Sequence, residues 1–308
     1  MKYVIGIDGG GTKSIISVAD LQGNIIVTEE GGSTNIRSQK ESEVYTNLRN
    51  LIENALKKAD LRIEECEAIC IGTAGAGREE EQDKIKKYIQ SLGVKGKILI
   101  TNDAEIVIAE ATGGKEGIAV IAGTGSIAYG IGKNGERVRV GGWGHLIGDE
   151  GSAYYIGIEG IRAALRCHDG REPYTELLPM IMREINIINP EEFVNFVYGE
   201  NVKKDKIASL ARIVDQACKK GDKKAKEILT RAAKELFLLA KAVIKKLKVE
   251  EENMTVVVSG SVFLNNVFVY EEFAKLLTKE YPNVSIKKSR NRASKGAVML
   301  ALKLLVKG

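Results

Sequence analysis

Asp8 and the three glycines Gly9–Gly11 stand between two runs of residues that are typical of β-strands. Glycine has no Cβ, so a glycine loop lets the backbone approach a ligand closely and offers its N–H groups to phosphate oxygens. Thr12 and Lys13 follow directly and add a hydroxyl and an ammonium group. This spacing indicates either a tight turn between two strands or a loop that binds phosphate.

A second loop with the same G-x-G-[ST] pattern occurs at Gly123-Thr124-Gly125-Ser126. Two matching loops favour phosphate binding over a plain hairpin turn. Neither loop is one of the two commoner nucleotide motifs. In the first, Thr12 precedes Lys13 and the spacing of a P-loop fails by one residue. Both lack the third glycine of a dinucleotide fingerprint and the helix that follows it.

Asp103 lies at the predicted start of a helix, where an aspartate ordinarily caps the helix and needs no catalytic role. Asn102, with Glu105 three residues later, already matches a capping box. Asp103 is therefore surplus to capping, and these residues alone leave its role open.

The two loops open two halves with the same predicted order of elements, β-β-β-α-β-α-β-α. The predicted strands of the first half are 3–7, 14–19, 25–28, 68–71 and 97–100, and those of the second are 118–122, 127–131, 137–140, 255–258 and 284–286. Helices are predicted around 44–55, 79–89, 102–114, 222–247, 268–279 and 293–306. We expect an N-terminal domain over 1–115 and a C-terminal domain over 116–308, with a helical insertion at about 151–247. The last helix could pack back on the first domain.

Composition narrows the class of protein. The 308 residues include 46 basic and 41 acidic ones, and this small excess of mixed charge argues against a dedicated nucleic-acid binder. The four cysteines have no paired CxxC spacing and are predicted to be reduced thiols. The N-terminus enters a strand without the pattern of a signal peptide, and no apolar run is long enough to span a bilayer. We expect a cytoplasmic protein with no membrane partner.

Four segments resemble a known family, and together they extend over nearly the whole chain. "GIDGGGTKS" and "IAGTGS" look like the two phosphate loops of the sugar kinase, Hsp70 and actin fold, and "VVVSGSVF" looks like its adenosine loop. "GGWGHLIGDEGSAYYIG" resembles the stretch peculiar to the N-acetylglucosamine kinases, which are related to the BadF/BadG/BcrA/BcrD ATPases. The resemblance implies an α/β fold of duplicated ribonuclease H-like (actin-like ATPase) domains. Each would be a mixed five-stranded sheet flanked by helices, with a central cleft.

The resemblance implies a set of residues that bind ATP and Mg²⁺. Asp8 would hold the metal, unless it only caps its own loop. The expected phosphate contacts are Gly9, Gly10, Gly11, Thr12, Lys13, Thr124, Gly125 and Ser126. Ser259 and Gly260 would lie beside the adenosine, although the family more usually has a second glycine where Ser261 stands.

The resemblance also implies the residues that bind and activate the sugar. Asp103 matches the catalytic base, which accepts the proton of the sugar 6-hydroxyl. Asn35 and Asp149 match sugar contacts, although Asn35 has the alternative of an ordinary loop asparagine. Trp143 could pack against the sugar or only against its own loop.

We therefore expect an ATP-dependent kinase that converts N-acetylglucosamine to its 6-phosphate, with a homodimer as one compatible assembly. Rival substrates are N-acetylmuramic acid, glucosamine and glucose. A second enzyme class with the same ATP loops is the activator ATPase of a 2-hydroxyacyl-CoA dehydratase, but no cysteine lies near the second loop to hold its iron–sulfur cluster. A sugar-sensing regulator would need a DNA-binding helix-turn-helix, for which no residues precede the first strand.

Overall fold

The computed structural model describes residues 1–11, 13–36, 39–73, 79–199, 202–289 and 293–306. These residues divide into two compact units. The first unit comprises the described parts of Met1–Gly117, Ile131–Gly135 and Ser289–Gly308, and the second comprises Ile118–Gly130 and those of Glu136–Lys288. Among the described helices, none combines the length and the apolar character needed to cross a membrane.

The elements follow one another in two similar series. The first is β1 (Tyr3–Gly9), β2 (Lys13–Asp20), β3 (Ile25–Gly32), α1 (Glu41–Ala59), a 3₁₀ turn (Ile63–Glu65), β4 (Cys66–Thr73), α2 (Glu79–Ser91), β5 (Lys97–Thr101) and α3 (Asp103–Thr112). The second begins with β6 (Gly117–Ala122), β7 (Ser126–Ile131) and β8 (Arg137–Gly141). It continues with α4 (Ala153–His168), α5 (Leu177–Glu184), α6 (Glu192–Tyr198), α7 (Lys204–Ala208), α8 (Ala211–Lys219) and α9 (Lys223–Leu247). It ends with β9 (Thr255–Ser259), α10 (Ser261–Asn265), α11 (Val267–Glu280), β10 (Ser285–Lys288) and α12 (Ala293–Val306).

Each unit is built on a five-stranded mixed sheet. The order in the first is β3-β2-β1-β4-β5, with antiparallel pairing of β1, β2 and β3 and parallel pairing of β1, β4 and β5. The second sheet has the equivalent order β8-β7-β6-β9-β10, in which β6, β9 and β10 are parallel. The predicted duplication of a ribonuclease H-like, actin-like sheet is therefore confirmed.

The two faces of β1 pack against different helices because successive side chains of a strand point in opposite directions. Ile5 and Ile7 share one apolar cluster with Leu48 and Ile52 of α1. Gly6, on the opposite face, meets α12: a methyl group at Gly6 would lie 2.4 Å from the carbonyl oxygen of Ser294. Because Asp8 lies two residues after Gly6 on the strand, its side chain points to the same face of the sheet, which is the face that α12 covers.

The chain's last helix also supports α3. A methyl group at Gly296 of α12 would lie 1.9 Å from the carbonyl oxygen of Ile106, so only glycine allows this approach of the two backbones. Lys303 Nζ donates to the carbonyl oxygen of Gly114, just beyond the end of α3. Helix α12 thus contacts both β1, which carries Asp8, and α3, which begins at Asp103.

The core of the second unit joins its sheet to the helices between β8 and β9. Val120 of β6, Val258 of β9, Ile161 of α4 and Leu236 of α9 are buried members of one apolar cluster. Helix α9 is 25 residues long, and Asp222 caps its start by accepting from Ala225 N–H. The sequence predicted α9 from its helical periodicity but assigned no individual helices between 151 and 221.

Candidate active site

The first glycine loop is a tight turn between β1 and β2. Gly10 N–H donates to the carbonyl oxygen of Lys13 at 3.1 Å, and Gly9 pairs with Ser14 in the strand ladder. None of Gly9, Gly10 and Gly11 has a positive φ. Gly9 and Gly10 are required because their neighbours leave no room for a side chain. A methyl group at Gly9 would lie 2.4 Å from Thr34 Oγ1, and one at Gly10 would lie 2.6 Å from the carbonyl oxygen of Lys13. The loop is therefore a hairpin turn in which Gly10 N–H is already bonded, and Thr12 lies outside the described residues.

Four hydroxyl side chains surround this loop, and all are almost fully buried: Ser14, Ser33, Thr34 and Thr73. Thr73 Oγ1 lies 3.0 Å from the carbonyl oxygen of Gly9 and 3.1 Å from that of Thr34. Ser33 Oγ donates to the carbonyl oxygen of Gly10 at 3.0 Å, and Ser14 Oγ lies 2.8 Å from Thr34 Oγ1. The sequence analysis identified none of these four as a functional residue, because isolated serines and threonines form no motif.

The structure places Asn35 beside the first loop. A methyl group at Gly11 would lie 3.6 Å from Asn35 Nδ2, which is an ordinary contact distance. Asn35 N–H donates to Ser33 Oγ at 3.3 Å. Lys13 forms an ion pair with Glu30 of β3, with Nζ 2.7 Å from Oε2 and both side chains exposed.

Asp8 and Asp103 form a pair of neighbouring carboxylates. Burial and the negative charge of Asp103 raise the pKa of Asp8 to about 6. Burial raises the pKa of Asp103 too, while the N–H groups of Asp103 and Ala104 act in the opposite direction. Within the described ranges, neither carboxylate forms an ion pair with a lysine or arginine. Two neighbouring carboxylates that have no basic partner among the described residues repel each other, and this repulsion favours the binding of a cation or a proton there.

The start of α3 is fixed by its neighbours rather than by Asp103. Asn102 caps the helix by accepting from Glu105 N–H at 2.9 Å. Glu105 itself is buried, and its Oε2 accepts from Thr101 Oγ1 at 2.5 Å. Asn102 therefore does the capping, as the sequence predicted, and the Asp103 side chain is available for another role.

The second glycine loop is bound to the first turn of α4. The carbonyl oxygens of Gly123 and Thr124 accept from Ala153 N–H and Tyr154 N–H, at 2.9 and 3.3 Å. Ser126 is buried, and its hydroxyl donates to the carbonyl oxygen of Glu150 at 2.7 Å. The Ser126 hydroxyl is thus engaged within the protein.

Asp149 contacts this second loop. A methyl group at Gly125 would lie 2.6 Å from Asp149 Oδ2, so the glycine makes room for the carboxylate. Asp149 has a φ of 59°, a left-handed conformation that is uncommon outside glycine. Thr124 Oγ1 donates to Asp205 Oδ1 at 3.1 Å. This contact could not be predicted from sequence motifs, because 81 residues separate the partners.

Trp143 lies on the loop between β8 and α4, with 67% of its surface exposed. The guanidinium of Arg139 stands over its ring at 5.0 Å from the centroid. Leu146 and Ile147 on the same loop are 84% and 78% exposed. Because packing inside its own loop would bury the ring, Trp143 remains available to a ligand.

The predicted adenosine loop lies against the second glycine loop. Gly260 has a φ of 94°, and a methyl group there would lie 2.3 Å from the carbonyl oxygen of Ala122. Ser261 begins α10 and lines a pocket of about 360 Å³ within the second unit. Residues from α4, α8 and α10 complete this pocket, among them Ile156, Arg212, Asp215, Gln216, Lys219 and Asn265. The α8 residues were missed because an amphipathic helix with a polar face has no distinctive motif.

Three comparisons with known proteins identify the family and the fold of the chain. The model of a family described as the BadF/BadG/BcrA/BcrD ATPase family matches residues 5–301. The chain is 45% identical over 301 residues, 98% of each chain, to an N-acetylmuramic acid/N-acetylglucosamine kinase of Clostridium acetobutylicum. It is 30% identical over 97% of each chain to an N-acetyl-D-glucosamine kinase of Dictyostelium discoideum. The crystal structure of a candidate N-acetylglucosamine kinase from Chromobacterium violaceum covers 98% of this chain and 99% of its own, with a TM-score of 0.76 at 22% identity.

Proposed function

Because the chain belongs to the BadF/BadG/BcrA/BcrD ATPase family, we propose that it is an ATP-dependent kinase that phosphorylates N-acetylglucosamine on its 6-hydroxyl. The observation that carries this proposal is the pair of carboxylates, Asp8 and Asp103, beside the first glycine loop. The names of the two sugar-kinase relatives support the substrate class.

Asp103 acts as the general base of the reaction. Its carboxylate accepts the proton of the sugar 6-hydroxyl as that oxygen forms a bond to the γ-phosphorus, and the bond from the γ-phosphorus to the bridging oxygen of ADP breaks. Burial raises the pKa of Asp103, and a base is more effective as its pKa approaches the working pH. The N–H groups at the start of α3 hold the side chain in place.

Asp8 is the residue that would hold Mg²⁺. A half-buried carboxylate with a second carboxylate nearby and no basic partner among the described residues suits a hard cation that keeps oxygen ligands. When bound, Mg²⁺ would neutralise charge on the phosphates of ATP. The chain's own contribution is to supply the oxygen ligand at the end of β1, next to the loop that binds phosphate.

The nucleotide contacts come from both glycine loops and from the adenosine loop. Gly9, Gly10, Gly11, Thr12, Lys13, Thr124, Gly125 and Ser126 are the proposed phosphate contacts, and Ser259 and Gly260 the proposed adenosine contacts. Gly10 N–H and the Ser126 hydroxyl have partners in the protein. The Lys13 ammonium is paired with Glu30, but this ion pair is exposed, so the ammonium can exchange it for a phosphate. The pocket beside Ser261 has room for the base.

The sugar contacts are Asn35, Trp143 and Asp149. The Asn35 amide both donates and accepts, and the Asp149 carboxylate can accept from two ring hydroxyls. A second substrate, N-acetylmuramic acid, is favoured by the name of the relative that is 45% identical. We place the enzyme in the cytoplasm, where ATP is available.

A coupled assay of ADP release across a panel of sugars tests this proposal. We expect N-acetylglucosamine to support a much higher kcat/KM than glucose, because a site that bonds the acetamido group leaves its own groups unpaired when that group is missing. Glucosamine and N-acetylmuramic acid complete the panel. Equal efficiency with glucose would contradict acetamido recognition, and ADP release that no sugar stimulates would contradict the kinase assignment.

A further inference from the structure

Two parts of the first unit that the proposed function assigns to different ligands are joined by buried hydroxyl groups. The first glycine loop follows β1 and is assigned to the phosphates of ATP. The segment Ser33–Asn35 follows β3 and carries the sugar contact. The two are separated by the whole of β2 and β3 in the chain, and among the described residues the strand ladder and side-chain hydrogen bonds connect them.

Thr73, at the end of β4, bridges these parts directly. Its hydroxyl oxygen lies within hydrogen-bond distance of the Gly9 and Thr34 carbonyl oxygens, at 3.0 and 3.1 Å. The two carbonyl oxygens share the single hydroxyl proton. The residue is 1% exposed, so water does not compete for it. Gly9 has no room for a side chain because Thr73 Cβ and Thr34 Oγ1 lie in contact with it.

Ser33 makes a second link of the same kind. Its hydroxyl donates to the carbonyl oxygen of Gly10 and accepts from Asn35 N–H, so it joins the loop to the residue that contacts the sugar. The Ser33 carbonyl oxygen accepts from Asn47 Nδ2 at 2.8 Å, which anchors the segment to α1. Ser14 and Thr34 add a third hydroxyl contact, at 2.8 Å.

We propose that Thr73 and Ser33 are positioning residues that hold the phosphate loop and the Asn35 segment as one rigid body, so that sugar and nucleotide bind cooperatively. This inference rests on the proposed function for the identity of the two ligands. A ligand that orders either segment also orders the other, and the second ligand then binds with a smaller entropic cost. Such coupling is reciprocal: the sugar raises nucleotide affinity by the same factor as the nucleotide raises sugar affinity.

The test compares isosteric variants of Thr73. Thr73→Val keeps the shape of the side chain and removes the hydroxyl, whereas Thr73→Ser keeps the hydroxyl. Ser17→Ala is the matched control, because Ser17 is another buried hydroxyl of the same sheet, 2.8 Å from Ser294 Oγ and bonded away from the loop. Titration calorimetry measures the dissociation constant of a non-hydrolysable ATP analogue with and without N-acetylglucosamine.

We expect a coupling factor of roughly 5-fold or more in the parent, within the usual range for coupled sites. It should fall close to 1 in Thr73→Val and stay near the parent value in Thr73→Ser and Ser17→Ala. Parent-like coupling in Thr73→Val, or a parent that phosphorylates the sugar without any coupling, would overturn the inference.

Hydrogen–deuterium exchange supplies a readout that does not depend on the substrate. Peptides that contain Gly10–Gly11 and Ser33–Ile36 should exchange faster together in Thr73→Val and remain protected in Thr73→Ser. Unchanged exchange in both peptides would refute the rigid body. If the parent phosphorylates no sugar, the proposed function fails, while the exchange result still decides whether the two segments are held together.

Discussion

The two glycine loops occupy the same place in two sheets of the same order, yet their surroundings differ. The first follows Asp8, is packed on buried hydroxyls and has Asn35 beside it. The second follows Ala122, which is fully buried, and its carbonyl oxygens are bonded to the first turn of α4. We therefore propose that the duplicated fold carries a divided function. The first loop has the proposed metal ligand, Asp8, and the proposed base, Asp103, nearby. The second loop instead has the Asp149 carboxylate beside Gly125 and the Asp205 carboxylate bonded to Thr124.

Removing the base from the first unit should have the largest effect. Asp103→Asn keeps the size of the side chain but cannot accept the proton, so kcat should fall by roughly 10²-fold or more while the sugar dissociation constant changes little. The control is Asn102→Ala, which removes the helix cap at a cost of about 1 kcal/mol of stability and retains the Asp103 carboxylate. If the kcat of Asp103→Asn stays within a few-fold of the parent value, Asp103 is not the base.

The corresponding change beside the second loop should affect binding rather than turnover. Asp149→Ala would remove the proposed charge-assisted hydrogen bond to the sugar, and we expect sugar affinity to weaken by roughly 1.5 to 3 kcal/mol. The affinity for ATP should barely change. Calorimetry with each ligand separately measures the two dissociation constants. If the variant loses affinity for ATP alone, Asp149 contacts the nucleotide and not the sugar.

Asp8→Asn should stabilise the apo protein. The folded-state pKa of Asp8 is raised to about 6, above the value of about 3.9 for an unfolded chain, so the folded state retains a proton that the unfolded state releases. Below about pH 4 the Asp8 carboxyl is neutral in both states and does not lower the stability of the fold. As the pH rises through 6, Asp8 ionises in the folded state too, and its buried charge then lowers the free energy of unfolding. At pH 7, without divalent cations, the asparagine variant should gain about 1 to 2 kcal/mol, and the gain should vanish near pH 4. Urea unfolding at the two pH values measures this, and a variant less stable than the parent at pH 7 would disprove the unfavourable burial of Asp8.

Lys13→Met should have the smallest effect on stability. Its ion pair with Glu30 is exposed at both ends, and such pairs contribute at most about 1 kcal/mol. Glu30→Gln breaks the same ion pair and leaves the Lys13 ammonium in place. If Lys13 contacts phosphate, the KM for ATP should rise several-fold in Lys13→Met only. An equal rise in both variants would attribute the effect to the ion pair.

The order of the strands and the places of both loops were predictable, because they depend on local periodicity and on glycine spacing, whereas the helices between 151 and 221 were not assigned individually. The meeting of Asp8 and Asp103 was not, because it depends on the close approach of Gly6 and Gly296 to backbones far away in the sequence. The resemblance to a known family suggested a role for each carboxylate. The packing of the structure shows in addition that the two carboxylates lie close enough for one to raise the pKa of the other.

The same limit applies to residues without a motif. The hydroxyls of Thr73 and Ser33 acquire a role only when β4 brings Thr73 to Gly9, and the pocket residues of α8 only when that helix packs near α10. Ser126 shows the converse case: it matches the G-x-G-[ST] pattern, yet burial directs its hydroxyl to the Glu150 carbonyl oxygen. A motif identifies a loop, whereas packing decides which of its groups remain available.

The position of the transferred phosphate tests the central claim most directly. N-acetylglucosamine labelled with ¹³C at C6 is incubated with the parent protein, ATP and Mg²⁺, and the product is examined by ³¹P and ¹³C NMR while ADP is quantified. We expect coupling of phosphorus to the labelled carbon, with one ADP formed for each sugar phosphate. ADP with free phosphate and unmodified sugar, or phosphorus on a different carbon, would contradict transfer to the 6-hydroxyl.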